Sequence, residues 1–502
     1  MMRAIALCAM VLAGSTFAPC QNTFIVQMDT VQAGYDASGR SIMETDSGYV
    51  LFGMQRSDDG TDRYRCAVYD LDPYGAYQSR YEVGSGDPTG SYFGLFDPVS
   101  RTADGGFASA INHSNGYGYA IDIVRFDAQG EMGASTNIMF STPNDSIVVG
   151  TRQMRQTSDG GFVFCGFRDP PDSYAKAILV KLDSTGALQW EQDYTTAGQA
   201  YEAISVAQYT DGGYVLAGYR LPGNLNGLGF VIRTDSAGNE LWRRHFGGHS
   251  GANGAVRVAA NGGIITFSSY SETDWPWDWR QYLLTKWDAS GNIVWQTRSH
   301  YFFQVTAYDL EILPDQSIVT VGTYSWLSEL AKYSAEGDSL WSRHLNVFNN
   351  LGNHLTYDVE PTTDGGFVLT GEAFQTLEDP HPNQETIFVI KTDSLGCVVP
   401  GCQNTGVQEY VMDLQNLLHV SPNPASDIVQ VSLDLPECGE VLGTPRIQLL
   451  DVQGRLVLEQ TIQQNLNQLR ATLDVSTLPA GIYYLHLRDA KRWLAGSKVI
   501  VE

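Results

Sequence analysis

The sequence predicts an all-β chain: a seven-bladed β-propeller followed by a small Ig-like β-sandwich. Three observations predict it. A Gly-rich turn recurs seven times between Asp46 and Gly366. Apolar, β-branched and aromatic runs lie between the turns, as strands packed in sheets require. From about Leu417 the recurrence stops, and a different set of strand-like blocks takes over.

The chain opens with a segment that reads as a signal peptide, residues 1–20. Arg3 supplies the positive start, and Ile5 to Ala13 is an apolar run too short to span a bilayer. Cleavage between Cys20 and Gln21 puts Ala18 at the small position three residues upstream. Cleavage after Ala18 is the alternative, and Cys20 leaves lipidation as an open question. No later stretch is long and apolar enough for a transmembrane helix.

The repeats fill residues 21–402. Asp104-Gly-Gly-Phe107, Asp159-Gly-Gly-Phe162, Asp211-Gly-Gly-Tyr214 and Asp364-Gly-Gly-Phe367 are full copies of the turn. Degenerate copies start at Asp46, Asn261 and Asp315, with about 50–58 residues between neighbours. Each is followed by a second turn of the Asp-x-x-Gly kind, as at Asp183, Asp235, Asp288 and Asp393. Four of these lead to a Trp: Trp190, Trp242, Trp295 and Trp341. A period of this size, with four strands per unit, is the signature of a propeller.

One repeat shows the logic. Ala203–Thr210 is strand a, and Asp211-Gly-Gly213 turns the chain, because glycine tolerates the positive φ of a tight hairpin. Tyr214–Tyr219 is strand b, Phe230–Arg233 strand c and Glu240–Phe246 strand d. The Trp on strand d is expected to pack between blades. The seventh repeat lacks a strand d after Asp393-Ser-Leu-Gly396. Phe24–Met28 is an unassigned strand at the other end of the array. It is expected to complete the last blade and so remove two sheet edges.

Residues 403–416 read as a linker and 417–502 as the second domain. Ser421-Pro-Asn-Pro424 opens it, Ile428–Leu433 alternates as a strand, and Arg446–Val457 is a hairpin around Asp451 and Gly454. Gly481-Ile-Tyr483 starts another strand, and Lys498–Glu502 ends the chain as one.

The repeat pattern resembles the Asp-Gly-Gly-Tyr repeat propellers of secreted Bacteroidetes proteins over roughly residues 24–402. Asp235 to Trp242 also resembles the tryptophan-docking repeat of quinoprotein propellers. The blocks from Ser421, Pro422, Asn423 and Pro424 through Asp451, Gly454, Gly481, Ile482 and Tyr483 closely resemble the type A C-terminal sorting domain of the type IX secretion system. Glu502 departs from the basic ending often seen there. That resemblance implies signal-peptide export to the periplasm and passage across the outer membrane. It names as partners the type IX machinery, its sortase and surface lipopolysaccharide.

The net charge of −25 argues against nucleic acid and anionic membrane as partners. Of the five cysteines left after cleavage at Gln21, Cys397 and Cys402 flank a Val-Val-Pro-Gly turn and are expected to form a disulfide. Cys66, Cys165 and Cys438 fall in strand-like segments as small hydrophobes.

The sequence carries no Gly-x-Ser-x-Gly, His-Glu-x-x-His or phosphate-loop motif, so no catalytic residue, cofactor or metal site is assigned. His245 and His344 occupy equivalent places after the strand-d Trp, which suggests structure rather than ligation. Asp58 to Asp62 is an acidic loop without EF-hand spacing. Tight turns take up one face of the propeller, so loops of variable length collect on the other. In repeat five that loop holds Trp275, Trp277 and Trp279, which point the same way if extended. They are the candidate ligand-binding residues, with packing onto the next blade as the competing reading. Two functions stay open. The preferred one is a non-catalytic surface binding or adhesion module for glycan or protein. The other is a secreted hydrolase or lyase using loop-face carboxylates.

Overall fold

In the computed structural model the described residues are 23–398 and 418–502. Left out within these spans are 29–36, 57–63, 84–90, 94–97, 115–118, 141–146, 172, 223–227, 247–253, 272–278, 300–301, 304, 325–326, 346–351, 376–384, 435–444, 463, 466–467 and 490–491. Regular structure among the described residues is all β.

Seven antiparallel sheets follow one another between Ala37 and Thr392. The fourth is typical: Gln199–Gln208, Tyr214–Pro222, Leu228–Thr234 and Glu240–Phe246 pair in chain order. The first strand of each sheet is innermost, because inner strands of successive sheets touch. The seventh sheet takes its outer strand from the start of the chain: Phe24–Met28 pairs with Glu385–Thr392, Val26 opposite Val389. The architecture is propeller-like, with a separate C-terminal β domain.

The Asp-Gly-Gly turns form because the Asp carboxylate accepts from a backbone N–H two residues on, as Asp211 does from Gly213 (2.9 Å), while Gly212 takes φ +87°. A cation on the third strand secures the same carboxylate: Lys181 to Asp159 (2.9 Å), Lys391 to Asp364 (3.0 Å), Arg233 to Asp211 (2.5 Å).

The strand-d tryptophans do pack between sheets. Each ring lies on the glycine of the next sheet's second turn. A Cβ at Gly238, Gly291, Gly337 or Gly396 would come within 2.6–3.0 Å of Trp190, Trp242, Trp295 or Trp341 respectively. Phe24 lies on Gly75 of the first sheet in the same way, so the seventh sheet docks onto the first by the contact that joins the third to seventh sheets in succession.

A polar belt runs inside this apolar ring. A backbone N–H on the inner strand donates to a side chain of the preceding sheet in six of the seven sheets: Thr151 to Asn112 (2.6 Å), Val206 to Gln153 (2.9 Å), Val256 to Ser205 (3.0 Å), Ala307 to Ser269 (3.0 Å) and Thr356 to Thr323 (3.4 Å). Ile42 of the first sheet donates to Asp358 of the seventh (2.7 Å). Buried N–H groups left bare cost about 1–3 kcal/mol each, so the belt fixes how the sheets meet.

The C-terminal domain has two four-stranded antiparallel sheets around one core. Leu418–Ser421, Ile428–Asp434, Gln468–Asp474 and Gln464–Asn465 form one. Leu456–Thr461, Pro445–Asp451, Gly481–Asp489 and Arg492–Val501 form the other. Val429, Val431, Leu449, Leu473, Leu485 and Val499 fill the space between them.

Candidate functional site

The inner strands place a distinct set of side chains at the axis. In five of the seven sheets the pairing of the inner strand slips by one residue, and the skipped residues are Arg40, Arg152, Ile204, Tyr308 and Tyr357. A bulge of this kind re-aims one side chain out of the pleat. Here the bulged side chains gather. Ile204 of the fourth sheet packs with Tyr308 of the sixth and Tyr357 of the seventh, with Tyr219 and Leu355 alongside. Arg40 of the first sheet lies over the Tyr357 ring, 4.1 Å from its centre.

The axial charges are compensated. Arg40 faces Glu372 at 3.7 Å, both side chains 8% exposed. Arg152 and the Tyr219 hydroxyl both donate to Glu202. Burial, with the neighbouring Glu202, holds the Tyr219 hydroxyl well above its ordinary value. Carboxylates already held by guanidinium and phenol are poor proton carriers. Among the described residues the axis is therefore filled by aromatic, aliphatic and charged groups.

Among the described residues two cysteines carry thiols. Cys66 and Cys165 are buried, and burial pushes the Cys165 thiol up to about 12. His245 is exposed and bonds the Tyr201 hydroxyl (3.1 Å). His344 is buried against Tyr324, ring centres 4.6 Å apart. Among the described residues no three His, Cys, Asp or Glu side chains come together as a metal-ligand group.

Trp275 and Trp277 lie outside the described residues, as does the Asp58–Asp62 loop. Trp279 opens the strand Trp279–Trp287 and pairs opposite Phe303. Cys397 is buried and disulfide-bonded, while Cys402, Cys438, Cys20 and Gln21 lie outside the description. No helix among the described residues is long and apolar enough to cross a membrane. The axial bulge residues were not singled out by sequence. They are two arginines, an isoleucine and two tyrosines, and the slip itself leaves no composition signal.

In the C-terminal domain the motif residues converge on the last strand. Asn423 donates through Nδ2 to the Lys498 carbonyl (2.7 Å) and accepts through Oδ1 from the Ile500 N–H (2.8 Å). Ala425 bridges Val501, and the Glu502 N–H donates to the Ala425 carbonyl (2.9 Å). The Ser421–Pro424 segment thus clamps the chain end onto the domain. Asp451 accepts from the N–H groups of Gln453 (2.9 Å) and Arg455 (3.0 Å), with Gly454 at φ +75°. The Tyr483 hydroxyl donates to the Pro479 carbonyl (2.7 Å), and the neighbouring Ile482 side chain is 40% exposed.

Comparison with known proteins bears on the two parts unequally. A search of curated proteins gives no significant match. Among solved structures the chain is similar to a Bacteroides caccae protein of unknown function, at 10% identity and TM-score 0.37, over 62% of this chain and 94% of that one. It is also similar to the cobalt-substituted apocarotenoid oxygenase of Synechocystis, at 12% identity and TM-score 0.39, over 65% and 94%. A puromycin hydrolase variant gives 11% identity and TM-score 0.45, over 80% and 59%. Likenesses this weak carry no argument about chemistry. Residues 419–502, by contrast, match the family profile of the secretion system C-terminal sorting domain. The chain therefore carries a type IX sorting domain at its C-terminus, and it is exported through the periplasm to the cell surface or beyond.

Proposed function

We propose that this is a cell-surface or secreted binding module for glycan or protein, acting in adhesion rather than catalysis. In this reading residues 1–20 are the export signal and 21–402 a closed seven-bladed propeller. Residues 403–416 are the linker, and 417–502 form the Ig-like sorting sandwich that the type IX sortase removes, with lipopolysaccharide as the anchor. The disulfide of Cys397 runs to Cys402. The ligand sits on the loop face, with Trp275, Trp277 and Trp279 as stacking surfaces.

One observation carries the preference for binding. The axis, where a propeller would hold a reacting group, is filled by bulge residues, and the nearby carboxylates of Glu372 and Glu202 face Arg40, Arg152 and Tyr219. The seven sheets and the Phe24–Met28 strand support the closed ring. The test is a glycan and protein array probed with the full mature chain, followed by an assay of each hit for new reducing ends or peptide termini. Retention without cleavage supports the reading. Cleavage of a retained hit overturns it in favour of a hydrolase or lyase.

A further inference from the structure

One charged side chain at the axis is buried without being bonded. Arg40 is 7% exposed, and its Nε and Nη1 atoms have no hydrogen-bond partner among the described residues. Its Nη2 atom lies 3.7 Å from Glu372, an ion pair longer than a hydrogen bond. Glu372 therefore offsets the charge without taking up the N–H groups. Arg152, which the same kind of bulge brings to the axis from the third sheet, is different, because its Nε donates to Glu202. Buried donors of a charged group that meet no acceptor are costly, so a partner for Arg40 is expected from outside the chain.

The backbone fixes the surroundings. The slip between Gly39 and Ser41 re-aims Arg40 out of the first sheet. A Cβ at Gly39 would run into the Thr370 hydroxyl of the seventh sheet, so the two sheets run close together beside Arg40. The guanidinium lies over the Tyr357 ring, 4.1 Å from its centre, and that ring meets Tyr308 of the sixth sheet with centres 5.1 Å apart. Burial holds both phenols above their ordinary values, so they stay protonated and neutral.

We propose that Arg40 binds a small inorganic anion, chloride in a saline medium, which ties the first sheet to the seventh at the axis. The unpartnered atoms are donors, and that decides between the small guests. A water molecule brings two protons that need acceptors of their own, whereas a halide needs donors only. Rings and guanidinium packed this closely favour a monoatomic ion over sulfate, phosphate or a carboxylate-bearing ligand. The chain's net charge of −25 works against anions at low salt, so the site is expected to fill at high rather than trace chloride. The ion is a structural partner and does not depend on the ligand proposed for the loop face.

The test uses the full mature chain in two measurements. Crystals of the wild type soaked in sodium bromide are expected to show an anomalous peak in contact with Arg40 Nε or Nη1. In solution, chloride replaces gluconate from about 1 mM to about 0.3 M at constant ionic strength. The wild-type melting temperature is expected to rise by about 2–4 °C across the titration, and that of Arg40→Gln to stay flat. No bromide peak at Arg40 overturns the proposal, as does a water molecule in its place. An equal rise in Arg40→Gln overturns it too, because the effect then belongs to the medium. A bromide peak without a chloride-dependent rise in the wild type shows an adventitious ion only, and removes the tie between the sheets. If Arg40→Gln does not fold, the bromide peak and the wild-type titration decide between them, and both must be positive for the proposal to stand.

Discussion

At the residue scale, Glu329 shows how packing sets chemistry in this scaffold. Its carboxylate accepts from the Ser342 hydroxyl (2.6 Å) and lies 4.0 Å from His344 Nε2. Burial pushes Glu329 up to about 7 and His344 down to about 4, so both are neutral between those values. The unfolded chain releases the Glu329 proton above its ordinary 4.5 while the native chain keeps it. Glu329 therefore costs stability as pH rises from 4.5 toward 7, and the loss is complete above that. His344 acts in the opposite window, costing stability as pH falls from 6.5 toward 4. Glu329→Gln keeps an acceptor for Ser342 and removes the charge. In urea denaturation the variant should exceed the wild type at pH 8 by on the order of 1–3 kcal/mol, and the gain should vanish near pH 4. A gain of equal size at both pH values contradicts this account.

At the scale of elements, the turns were legible and the bulges were not. Asp-Gly-Gly and Asp-x-x-Gly announce themselves because few residues tolerate positive φ, and Gly160, Gly212, Gly238 and Gly291 all take it. The docking tryptophans were legible for the same reason, since each needs a bare glycine opposite. Arg40, Arg152, Ile204, Tyr308 and Tyr357 were missed because a bulge in a strand interior accepts any side chain. The inner strand of the fourth sheet starts at Gln199, four residues before the apolar run suggests, because Gln199–Glu202 is held by pairing rather than by burial alone. Gln468–Asp474 was missed although Leu469 and Leu473 are core residues, since polar neighbours mask a strand this short.

The outermost strand of the seventh sheet was read from position alone, and it makes the sharpest element-level test. Phe24, Ile25, Val26 and Met28 pack against the first and seventh sheets. Deleting residues 21–28 removes them and bares the edge of Glu385–Thr392. Fully burying such side chains contributes about 1.5–3 kcal/mol each, so the loss should reach roughly 5 kcal/mol. Differential scanning calorimetry should show a clear fall in melting temperature. An unchanged transition would mean that the strand does not close the ring.

At the scale of the whole molecule, the two halves divide the work. The C-terminal domain was legible as a sorting signal because its motif residues each hold a turn or the chain end, as Asn423 and Asp451 do. A chain ending at residue 416 should accumulate in the periplasm of the native host, while the full chain appears at the surface or in the medium. Cell fractionation with blotting checks this, and normal surface display of the truncated chain would contradict it. The propeller-like half supplies the scaffold, and the proposed ligand-binding residues lie on a loop that carries little pattern in sequence.

The central claim is that a rigid, cross-braced ring presents its ligand-binding residues on those loops. Its most direct test is a single paired measurement on the variant Trp275→Ala, Trp277→Ala, Trp279→Ala: affinity for the array-selected ligand and melting temperature, each against the wild type. The account predicts an affinity loss of at least about a hundredfold, near 2.7 kcal/mol, with a melting temperature lowered by no more than about 2 °C. A large fall in melting temperature with binding retained by the folded fraction would show that the three rings are packing, and would contradict the claim.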